Sequence, residues 1–513
     1  MKNNIIYILL FIAFIPLMIF RDFTPNNELR YLSIADEAIK NIHFFAFTNQ
    51  GTYYADKPPL YFWLIMIGKL IFGKHNMFFL SMCSLIPAFI TIRTISKWTE
   101  TEIPHNYQLT GQLALCSCGL FMVMALFIRM DILMCMFITL ALYTFYKMFK
   151  HQGKDLQNKI LFPLYIFGAT FSKGSIGILI PLISTFIFLV YKKELRSIGK
   201  YWGGFTWSVF LGCCILWFGF TYKEGGNEYL NNLLIHQTID RAVNSFHHEE
   251  PFYYYGISIW YSLIPWSLLS IGIIIYAIVK RTIISDTEKF FFIIFTSTFI
   301  LLSIISSKID IYFLPAIPFI VYFGIIQLSH LKWNNLLALS LAIPSFIYFT
   351  ALPIILILTK QERTQFLDET FIYIASGILS FSGIYALYQL YHTKNIQYVI
   401  HTLSIGIFLA IFTGGFSLPQ INKQWGYGDV CRQAIKLSNK MQLNNYYTWG
   451  ISRSENMDVY LNKDITKVTW EDILSNRLSN GILIIPTKKL SNIQKEFPDK
   501  QTYVVGHFSI IIL

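Results

Sequence analysis

Long apolar segments, separated by short charged connections, occupy most of the chain up to residue 414. Each segment is close to the roughly 20 residues that an α-helix needs to cross a bilayer. No small-residue cleavage site precedes Arg21, so the first segment is predicted to be a retained span and not a signal peptide. We therefore predict thirteen membrane-spanning helices, near residues 1–20, 76–97, 109–128, 131–149, 159–172, 175–191, 203–221, 257–279, 289–305, 311–329, 335–358, 370–391 and 397–414.

The connection at 21–75 is long enough to have structure of its own. Apolar residues recur at helical spacing over 28–41, and the stretch 61–72 is apolar but too short to span a membrane. Both stretches are predicted to be interfacial helices that lie on the membrane. The two prolines after Lys57 predict an extended backbone there, because proline disfavours helical geometry in the residue that precedes it.

The composition changes after residue 414 to a mixed apolar and polar pattern. The fold class that follows is an all-α polytopic membrane region, residues 1–414, with a small α/β domain, residues 415–513. Within that domain, the periodicity predicts helices at 428–441 and 487–496 and strands at 444–449, 481–486 and 501–512.

The composition supports this class and excludes others. Hydrophobic residues make up 54% and charged residues 14% of the chain, which is typical of a membrane protein. The net charge of +12 does not indicate nucleic-acid binding, because lysine and arginine cluster in the short connections. The seven cysteines are too scattered for a disulfide framework.

The distribution of basic residues predicts which connections face which side. With a cytoplasmic N-terminus, the connections rich in lysine and arginine all fall inside, as the positive-inside rule requires. The connections that fall outside are 21–75, 129–131, 171–174, 222–256, 306–310 and everything after 415. We therefore expect the chemistry and the C-terminal domain on the outer side of the membrane, and the resemblance described next implies that this is the periplasmic side of a bacterial inner membrane.

Short charged and aromatic motifs on the outer side follow one another in a recognisable order. The motifs are Asn27-Glu28-Leu29-Arg30-Tyr31, Asp56-Lys57-Pro58-Pro59-Leu60, Arg129-Met130-Asp131, Ser172-Lys173-Gly174, His236 with Arg241, His248 to Tyr255, Pro265-Trp266 and Ser306-Ser307-Lys308 with Tyr312-Phe313-Leu314-Pro315. Their order resembles the aminoarabinose transferase branch of the protein O-mannosyltransferase-like GT-C glycosyltransferases, from residue 1 to about 420 and, in outline, the C-terminal domain.

The resemblance implies an activity and its partners. It implies a GT-C enzyme that transfers a pentose or hexose, with inversion, from a polyprenyl-phosphate carrier to a periplasmic acceptor. That acceptor is usually a phosphate of lipid A; transfer to a hydroxyl, as in protein O-mannosylation, is the alternative. The predicted partners are therefore the lipid-linked sugar, lipid A or another envelope acceptor and membrane lipids, with no nucleic acid and no nucleotide cofactor.

Four residues are predicted to contact the donor phosphate. A phosphate leaving group develops charge that fixed cations stabilise, which gives Lys57, Arg241 and Lys308 this role, and Tyr312 is predicted to touch the phosphate or the sugar. Basic residues near a membrane surface also extend to lipid headgroups without any catalytic role, and this stays the alternative for each. Lys173 is a further candidate or a structural helix end.

The predicted catalytic residues are Asn27, Glu28 and Asp131. In GT-C enzymes the acid that matches Asp131 lies near the reacting sugar, whereas an ion pair with Arg129 at a helix start is the structural alternative. The family has Asp where this chain has Asn27, which leaves Glu28 as the adjacent acid. An amide is no base, but a phosphate acceptor is already ionised near neutral pH, whereas a hydroxyl needs Glu28 or Asp131.

The resemblance also implies a metal, and the membrane topology leaves other functions open. Asp56 and His236 are the tentative ligands of a structural Zn²⁺, with a simple carboxylate-histidine hydrogen bond as the alternative. A lipid-linked sugar transporter or flippase is a rival function, although the charges lie at span ends and not at midplane. Asn27 also leaves a non-catalytic envelope assembly factor open.

Overall fold

The computed structural model describes residues 5–235, 249–475, 478 and 480–513, and most of them are helical. A helix is present in each of the thirteen segments predicted to span the membrane. Within the described residues, eight helical stretches are long and apolar enough to cross a membrane, and the total of thirteen spans stays a prediction. The eight are Met77–Trp98, Asp131–Phe149, Gly204–Ile235, Asp286–Ile304, Asp310–His330, Asn335–Leu358, Thr370–His392 and Ile396–Trp425.

The helices up to residue 414 form the membrane region. A 3-10 turn, Asp310–Ala316, precedes α15. The helices are α1 (Ile5–Phe20), α2 (Glu28–Asn41), α3 (Leu60–Phe72), α4 (Met77–Trp98), α5 (His105–Cys116), α6 (Gly119–Met124), α7 (Asp131–Phe149), α8 (Asp155–Lys173), α9 (Ile176–Tyr191), α10 (Ile198–Tyr201), α11 (Gly204–Asn231), α12 (Tyr254–Ser262), α13 (Ser267–Lys280), α14 (Asp286–Ile304), α15 (Ile317–His330), α16 (Asn335–Phe349), α17 (Ala351–Leu358), α18 (Thr370–His392) and α19 (Ile396–Gly414).

Two of the predicted spans are interrupted, and their interruptions meet. The span predicted at 109–128 breaks between α5 and α6, and the one at 257–279 breaks between α12 and α13, next to Pro265. The backbone N–H of Gly119 donates to the carbonyl of Ile264 at 2.7 Å, and the indole of Trp266 donates to Ser117 at 3.0 Å. Each break therefore satisfies polar groups that the other leaves open, as an apolar environment requires.

The connection at 21–75 contains the two predicted helices, but α2 does not lie on an open surface. It buries eight residues, Glu28, Leu29, Tyr31, Leu32, Ser33, Ile34, Ala35 and Ala38, because α3 and C-terminal residues pack around it. By contrast, α3 leaves an apolar face exposed at Ile67, Leu70 and Ile71, as an interfacial helix does. Between them, β1 (Thr48–Asn49) and β2 (Thr52–Tyr53) form a short antiparallel hairpin.

The C-terminal residues form a five-stranded sheet flanked by short helices. The strand order is β4-β3-β5-β7-β6, with β3 parallel to both of its neighbours and β7 antiparallel to β5 and β6. The elements are α20 (Leu418–Trp425), α21 (Gly428–Met441), β3 (Asn445–Thr448), α22 (Asp458–Leu461), β4 (Thr466–Lys467), α23 (Trp470–Leu474), β5 (Gly481–Pro486), α24 (Leu490–Glu496), β6 (Thr502–Val505) and β7 (Phe508–Ile512), with 3-10 turns at Gly415–Ser417, Ser454–Met457 and Thr487–Lys489.

The predicted C-terminal elements are present, with two differences. The strand predicted at 501–512 is a hairpin, because Gly506 takes a left-handed conformation with φ +58° and reverses the chain. The two-residue strand β4 was too short to give a sequence pattern. One hydrophobic cluster contains Leu32 and Ile34 of α2 together with Val430 of α21 and Ile482 of β5. The C-terminal sheet therefore shares a core with the connection at 21–75, and the boundary at 415 stays a prediction.

Candidate active site

Asp131 lies at the centre of a buried cluster of charges. It is the first residue of α7 and has no exposed surface, and it forms ion pairs with Lys173, at the end of α8, and with Arg129, whose Nε is 3.2 Å from Oδ2. Lys57 lies close enough to Lys173 for the two ammonium groups to repel each other. The ion pairs in this cluster therefore join two cations to one carboxylate, and such an excess of buried positive charge suits an anionic ligand.

Tyr312 joins this cluster from a separate part of the chain. The ammonium of Lys173 lies 4.3 Å from the centre of the Tyr312 ring, a cation–π contact. The 3-10 turn that carries Tyr312 packs on α7, where the thiol of Cys135 approaches the carbonyl of Leu314 at 3.8 Å. The structure thus brings together Lys57, Asp131 and Tyr312, and it places Lys173 among them.

Lys308 is a buried cation two residues before the same turn. Its side chain is 4% exposed, and its ammonium donates to the carbonyl of Glu250 at 2.8 Å and to that of Ser306 at 3.5 Å. Asp310, two residues further on, accepts hydrogen bonds from Tyr254, at 2.5 Å, and from Tyr261. Burial and the hydrogen bond to Asp310 raise the pKa of Tyr254. Within the described residues, the hydrogen bonds of Lys308 go to neutral carbonyls, so its charge is not neutralised by them.

Glu28 occupies an environment that favours a structural role. It is fully buried, and Arg21 donates to both of its oxygens, at 2.6 and 2.9 Å. The backbone N–H groups of Thr24 and Ile128 each donate to one oxygen at 2.8 Å. Four donors therefore occupy the acceptor positions of this one carboxylate. Its contact with Ile128 also joins the start of α2 to the segment that leads into Asp131.

Asn27 and Arg30 lie on either side of Glu28 with fewer contacts. Asn27 precedes α2, and its half-buried side chain makes no capping hydrogen bond. The guanidinium of Arg30 lies 5.7 and 5.8 Å from the ring centres of Tyr31 and Tyr54, and its buried Nε has no hydrogen-bond partner in the described part of the chain. Arg30 was not among the predicted site residues, although the motif that contains Asn27 also contains it.

Comparisons with known proteins match one part of the sequence to a family and nearly the whole chain to a solved structure. The family described as "Dolichyl-phosphate-mannose-protein mannosyltransferase" matches residues 56–217. The chain has a TM-score of 0.79 to the crystal structure of ArnT from Cupriavidus metallidurans bound to undecaprenyl phosphate, at 16% identity, with 98% of this chain and 96% of that one covered. The chain therefore shares the fold of that membrane protein over nearly its whole length.

Other similar proteins match only part of the chain or have a lower TM-score. An uncharacterized protein of Aquifex aeolicus is 27% identical over 57% of this chain, and the undecaprenyl phosphate-alpha-4-amino-4-deoxy-L-arabinose arabinosyl transferase of Wigglesworthia glossinidia brevipalpis is 23% identical over 52%. The matches span 57% and 48% of those two relatives, about half of their length. The archaeal oligosaccharyltransferase AglB from Archaeoglobus fulgidus has a TM-score of 0.50, at 12% identity, with 96% of this chain and 70% of that one covered.

Two of the predicted site residues, His236 and Arg241, lie outside the described residues. Asp56, the other predicted zinc ligand, is half-buried just ahead of Lys57. Among the residues that the structure describes, no group of three or more histidine, cysteine, aspartate or glutamate side chains is arranged to hold a metal. One oxygen ligand does not make a zinc site, so the metal stays a prediction and we derive no chemical step from it.

Two further residues hold the Asp56-Lys57 turn, and the sequence patterns did not indicate either. One carboxylate oxygen of Glu224, near the end of α11, accepts the backbone N–H groups of residues 44–46 at 2.9, 2.6 and 3.0 Å. The hydroxyl of Tyr229 accepts from the N–H of Phe47 at 3.2 Å and donates to the carbonyl of Tyr54 at 2.9 Å. Both residues fix the backbone that enters the motif, and only the tertiary structure shows the contacts.

Proposed function

We propose that this chain is a membrane enzyme that transfers a sugar from a polyprenyl-phosphate donor to an acceptor in the bacterial cell envelope. The observation that carries the proposal is the buried cluster in which Asp131 pairs with Lys173 and Arg129, while Lys57 and Tyr312 lie beside Lys173. Two of the similar proteins agree with a lipid-linked donor, since one is an ArnT structure bound to undecaprenyl phosphate and another is an undecaprenyl phosphate-dependent arabinosyl transferase by name.

The chemistry of such a transfer is a single displacement at the anomeric carbon of the donor sugar. The bond from the acceptor oxygen to that carbon forms while the bond from the carbon to the carrier phosphate breaks, and the bonding electrons remain on the phosphate. The phosphate therefore gains charge in the transition state, and preorganised cations stabilise it most at that point. Lys57 and Lys308 have this role in our proposal, with Arg241 as the third predicted cation.

The acceptor that we propose is a phosphate, most simply one of lipid A. A hydroxyl acceptor needs a carboxylate to remove its proton, but Glu28 is engaged by four donors and Asp131 by two cations. The third position, Asn27, is an amide. A phosphate is already ionised near neutral pH and needs no base, so it fits a site whose acids are occupied.

The donor sugar is left open between a pentose and a hexose. Asn27 lacks the negative charge that the family's aspartate would offer to an amino sugar. We therefore propose that the chain also accepts a donor other than aminoarabinose. Asp131 keeps its position beside the cations and remains the carboxylate proposed to contact the reacting sugar.

The test is a transfer assay with the full-length protein in lipid nanodiscs. Synthetic polyprenyl-phosphate sugars, one with and one without an amino group, are incubated with lipid A or with a serine- and threonine-containing peptide, and mass spectrometry identifies the product. We expect the mass of one sugar to be added to lipid A, with loss of that product when its phosphates are removed. Transfer to the peptide alone would contradict the phosphate acceptor, and no transfer from either donor would contradict the enzyme.

A further inference from the structure

The segment at 22–27, between α1 and α2, is held by residues near the other end of the chain. The carboxylate of Asp22 accepts the backbone N–H of Gly428 at 2.7 Å and the hydroxyl of Tyr460. The backbone N–H of Asp22 donates to Asn422 at 3.1 Å, and that of Phe23 donates to Tyr460 at 3.3 Å. Five residues of two distant regions thus share four hydrogen bonds at the start of the segment.

The end of the segment has a contact of the same kind. The amide of Asn456, whose side chain is fully buried, donates to the carbonyl of Pro25 at 2.9 Å. Pro25 is two residues before Asn27. Pairing a buried amide with a carbonyl fixes that carbonyl in one position, because the loss of either partner leaves a buried polar group unsatisfied.

The packing at this junction requires small residues. A β-carbon at Gly426 or Gly428 would overlap the carboxylate of Asp22, so glycine allows the two backbones to approach. A further hydrogen bond, from Ser33 of α2 to Asp458 at 2.6 Å, lies next to the same helix α22 that carries Tyr460. The contacts are therefore spread over both ends of the segment and over the helix that follows it.

We propose that Asn422, Gly428, Asn456 and Tyr460 form a C-terminal clamp that positions segment 22–27, and with it Asn27 and Arg30, for the transfer reaction. The inference rests on the proposed function and deepens it, because it gives the C-terminal sheet a task in that reaction. None of the four clamp residues touches the charged cluster around Asp131, so they are positioning residues. Their effect passes through Glu28, which joins the same segment to Ile128.

The clamp predicts a specific kinetic effect for Tyr460→Phe. The change removes the hydroxyl that contacts Asp22 and Phe23 and keeps the ring, which packs 6.2 Å from that of Phe23. A small displacement of a reacting group lowers turnover by up to about 100-fold. We expect kcat to fall by about 10-fold or more while the KM for the donor changes by less than about twofold. Asn456→Ala is expected to act in the same direction.

The matched control is Tyr503→Phe in strand β6. The hydroxyl of Tyr503 makes no hydrogen bond within the described residues, and Tyr503 belongs to the C-terminal sheet beside which α22 lies. We expect this variant to keep the kcat, the KM and the thermal unfolding midpoint of the parent protein. A fall in kcat that both Tyr→Phe variants share, or one that follows a loss of folded protein in Tyr460→Phe, would overturn the clamp.

A second measurement separates the clamp from the proposed function. Hydrogen-deuterium exchange of the full-length protein in nanodiscs reports on the backbone N–H groups of 22–27 without any substrate. We expect faster exchange there in Tyr460→Phe and unchanged exchange in Tyr503→Phe. If the parent protein transfers no sugar, the proposed function fails and the exchange still decides the clamp; equal exchange at 22–27 in the parent and in Tyr460→Phe would overturn it.

Discussion

Two aspartates begin helices in this chain and meet two cations each, but only one of them is buried. Asp131, at the start of α7, has no exposed surface, whereas the side chain of Asp286, at the start of α14, is 20% exposed. The partners of Asp286 are Lys150 and Lys192, at 2.5 and 2.9 Å, with side chains 36% and 26% exposed.

The difference in burial indicates a structural role for the Asp286 cluster and a functional role for the Asp131 cluster. Asp286 completes a helix N-terminus in contact with solvent, where a carboxylate is favourable and its ion pairs contribute little. Burying charges such as those around Asp131 can cost more free energy than their ion pairs return. Charges that are kept buried at such a cost are typical of functional sites. The comparison therefore favours Asp131 as the aspartate that takes part in the chemistry, although each of the two aspartates pairs with two cations.

The strongest test of this comparison is to neutralise each aspartate in turn. Asp131→Asn is expected to lower turnover by about 100-fold or more, because the cations around it lose their fixed geometry. Asp286→Asn is expected to leave turnover within about twofold. The measurement is kcat for sugar transfer by protein in nanodiscs. Equal losses in the two variants would contradict the functional assignment of Asp131.

Stability has to be separated from activity in the same experiment. Breaking a buried pair costs about 3–5 kcal/mol because it leaves a buried charge uncompensated. The double variant Asp131→Asn/Lys173→Met removes both charges of one pair, and it is expected to recover much of the unfolding midpoint without recovering turnover. Recovery of both would indicate that the pair is structural.

The next largest effect is expected for the predicted phosphate contact. Lys57→Ala should lower kcat/KM for the donor by about 10-fold to 100-fold, since one electrostatic contact to a developing anion contributes a few kcal/mol. Folded yield should be kept, because half-exposed charges contribute little stability. Lys74→Ala is the matched control, an exposed lysine of the same connection. A similar loss in both variants would contradict a specific role for Lys57.

A smaller effect is expected at position 27. With a phosphate acceptor no base is needed, so Asn27→Asp should keep turnover within about 10-fold. The new carboxylate should favour a donor with an amino group, which changes the ratio of kcat/KM for the two donors. Competition between the aminated and non-aminated donors measures that ratio directly. An increase of about 100-fold or more in transfer to the peptide hydroxyl would show that a base had been missing.

The smallest effect is expected for the pH dependence of stability that arises from a third aspartate, Asp458, whose hydrogen-bond partners are neutral. Asp458 accepts hydrogen bonds from Ser33 at 2.6 Å and Gln50 at 3.1 Å, and burial raises its pKa to about 6. The folded protein then holds this proton more tightly than the unfolded chain does, so stability is greatest below about pH 4 and falls as the pH rises through 6. The shift sets a ceiling of about 3 kcal/mol on this loss.

Thermal unfolding at pH 5 and pH 7.5 measures that dependence. The midpoint of the parent protein is expected to fall more over this interval than that of Asp458→Asn, which does not titrate. Comparing the two proteins cancels the contribution of other groups, including Asp36 with its partners Lys69 and His75. Identical slopes would contradict the raised pKa.

The helices were predictable because the signal for them is local. Apolar length and periodicity indicate each helix, and the same holds for β5, whose residues are nearly all buried. The interruptions within two predicted spans were missed because they depend on distant partners. In the break beside Pro265, the carbonyl of Ile264 accepts the N–H of Gly119, which is 145 positions before Ile264 in the sequence. Burial of α2 was missed for the same reason, since its cover comes from residues more than 400 positions later.

The candidate site was predictable in its residue types and in the local ion pair of Arg129 with Asp131, but not in its pairings between distant segments. The motifs indicated Lys57, Asp131 and Tyr312, which the structure brings together around Lys173. No sequence pattern indicates that Glu28 reaches the N–H of Ile128, a contact that takes it out of the set of available bases. The roles assigned to these residues stay predictions for the assays above.

The contact between Asp22 and Tyr460 also has a consequence for biosynthesis, because its partners are 438 residues apart. A ribosome that adds about 5–20 residues per second needs roughly 20 to 90 s to make the second partner after the first. During that interval the nascent chain already carries Asn27 and Arg30 but lacks the residues that hold them. If the clamp positions that segment, a chain released before residue 456 is expected to lack both Asn456 and Tyr460, and with them the contacts that position Asn27 and Arg30.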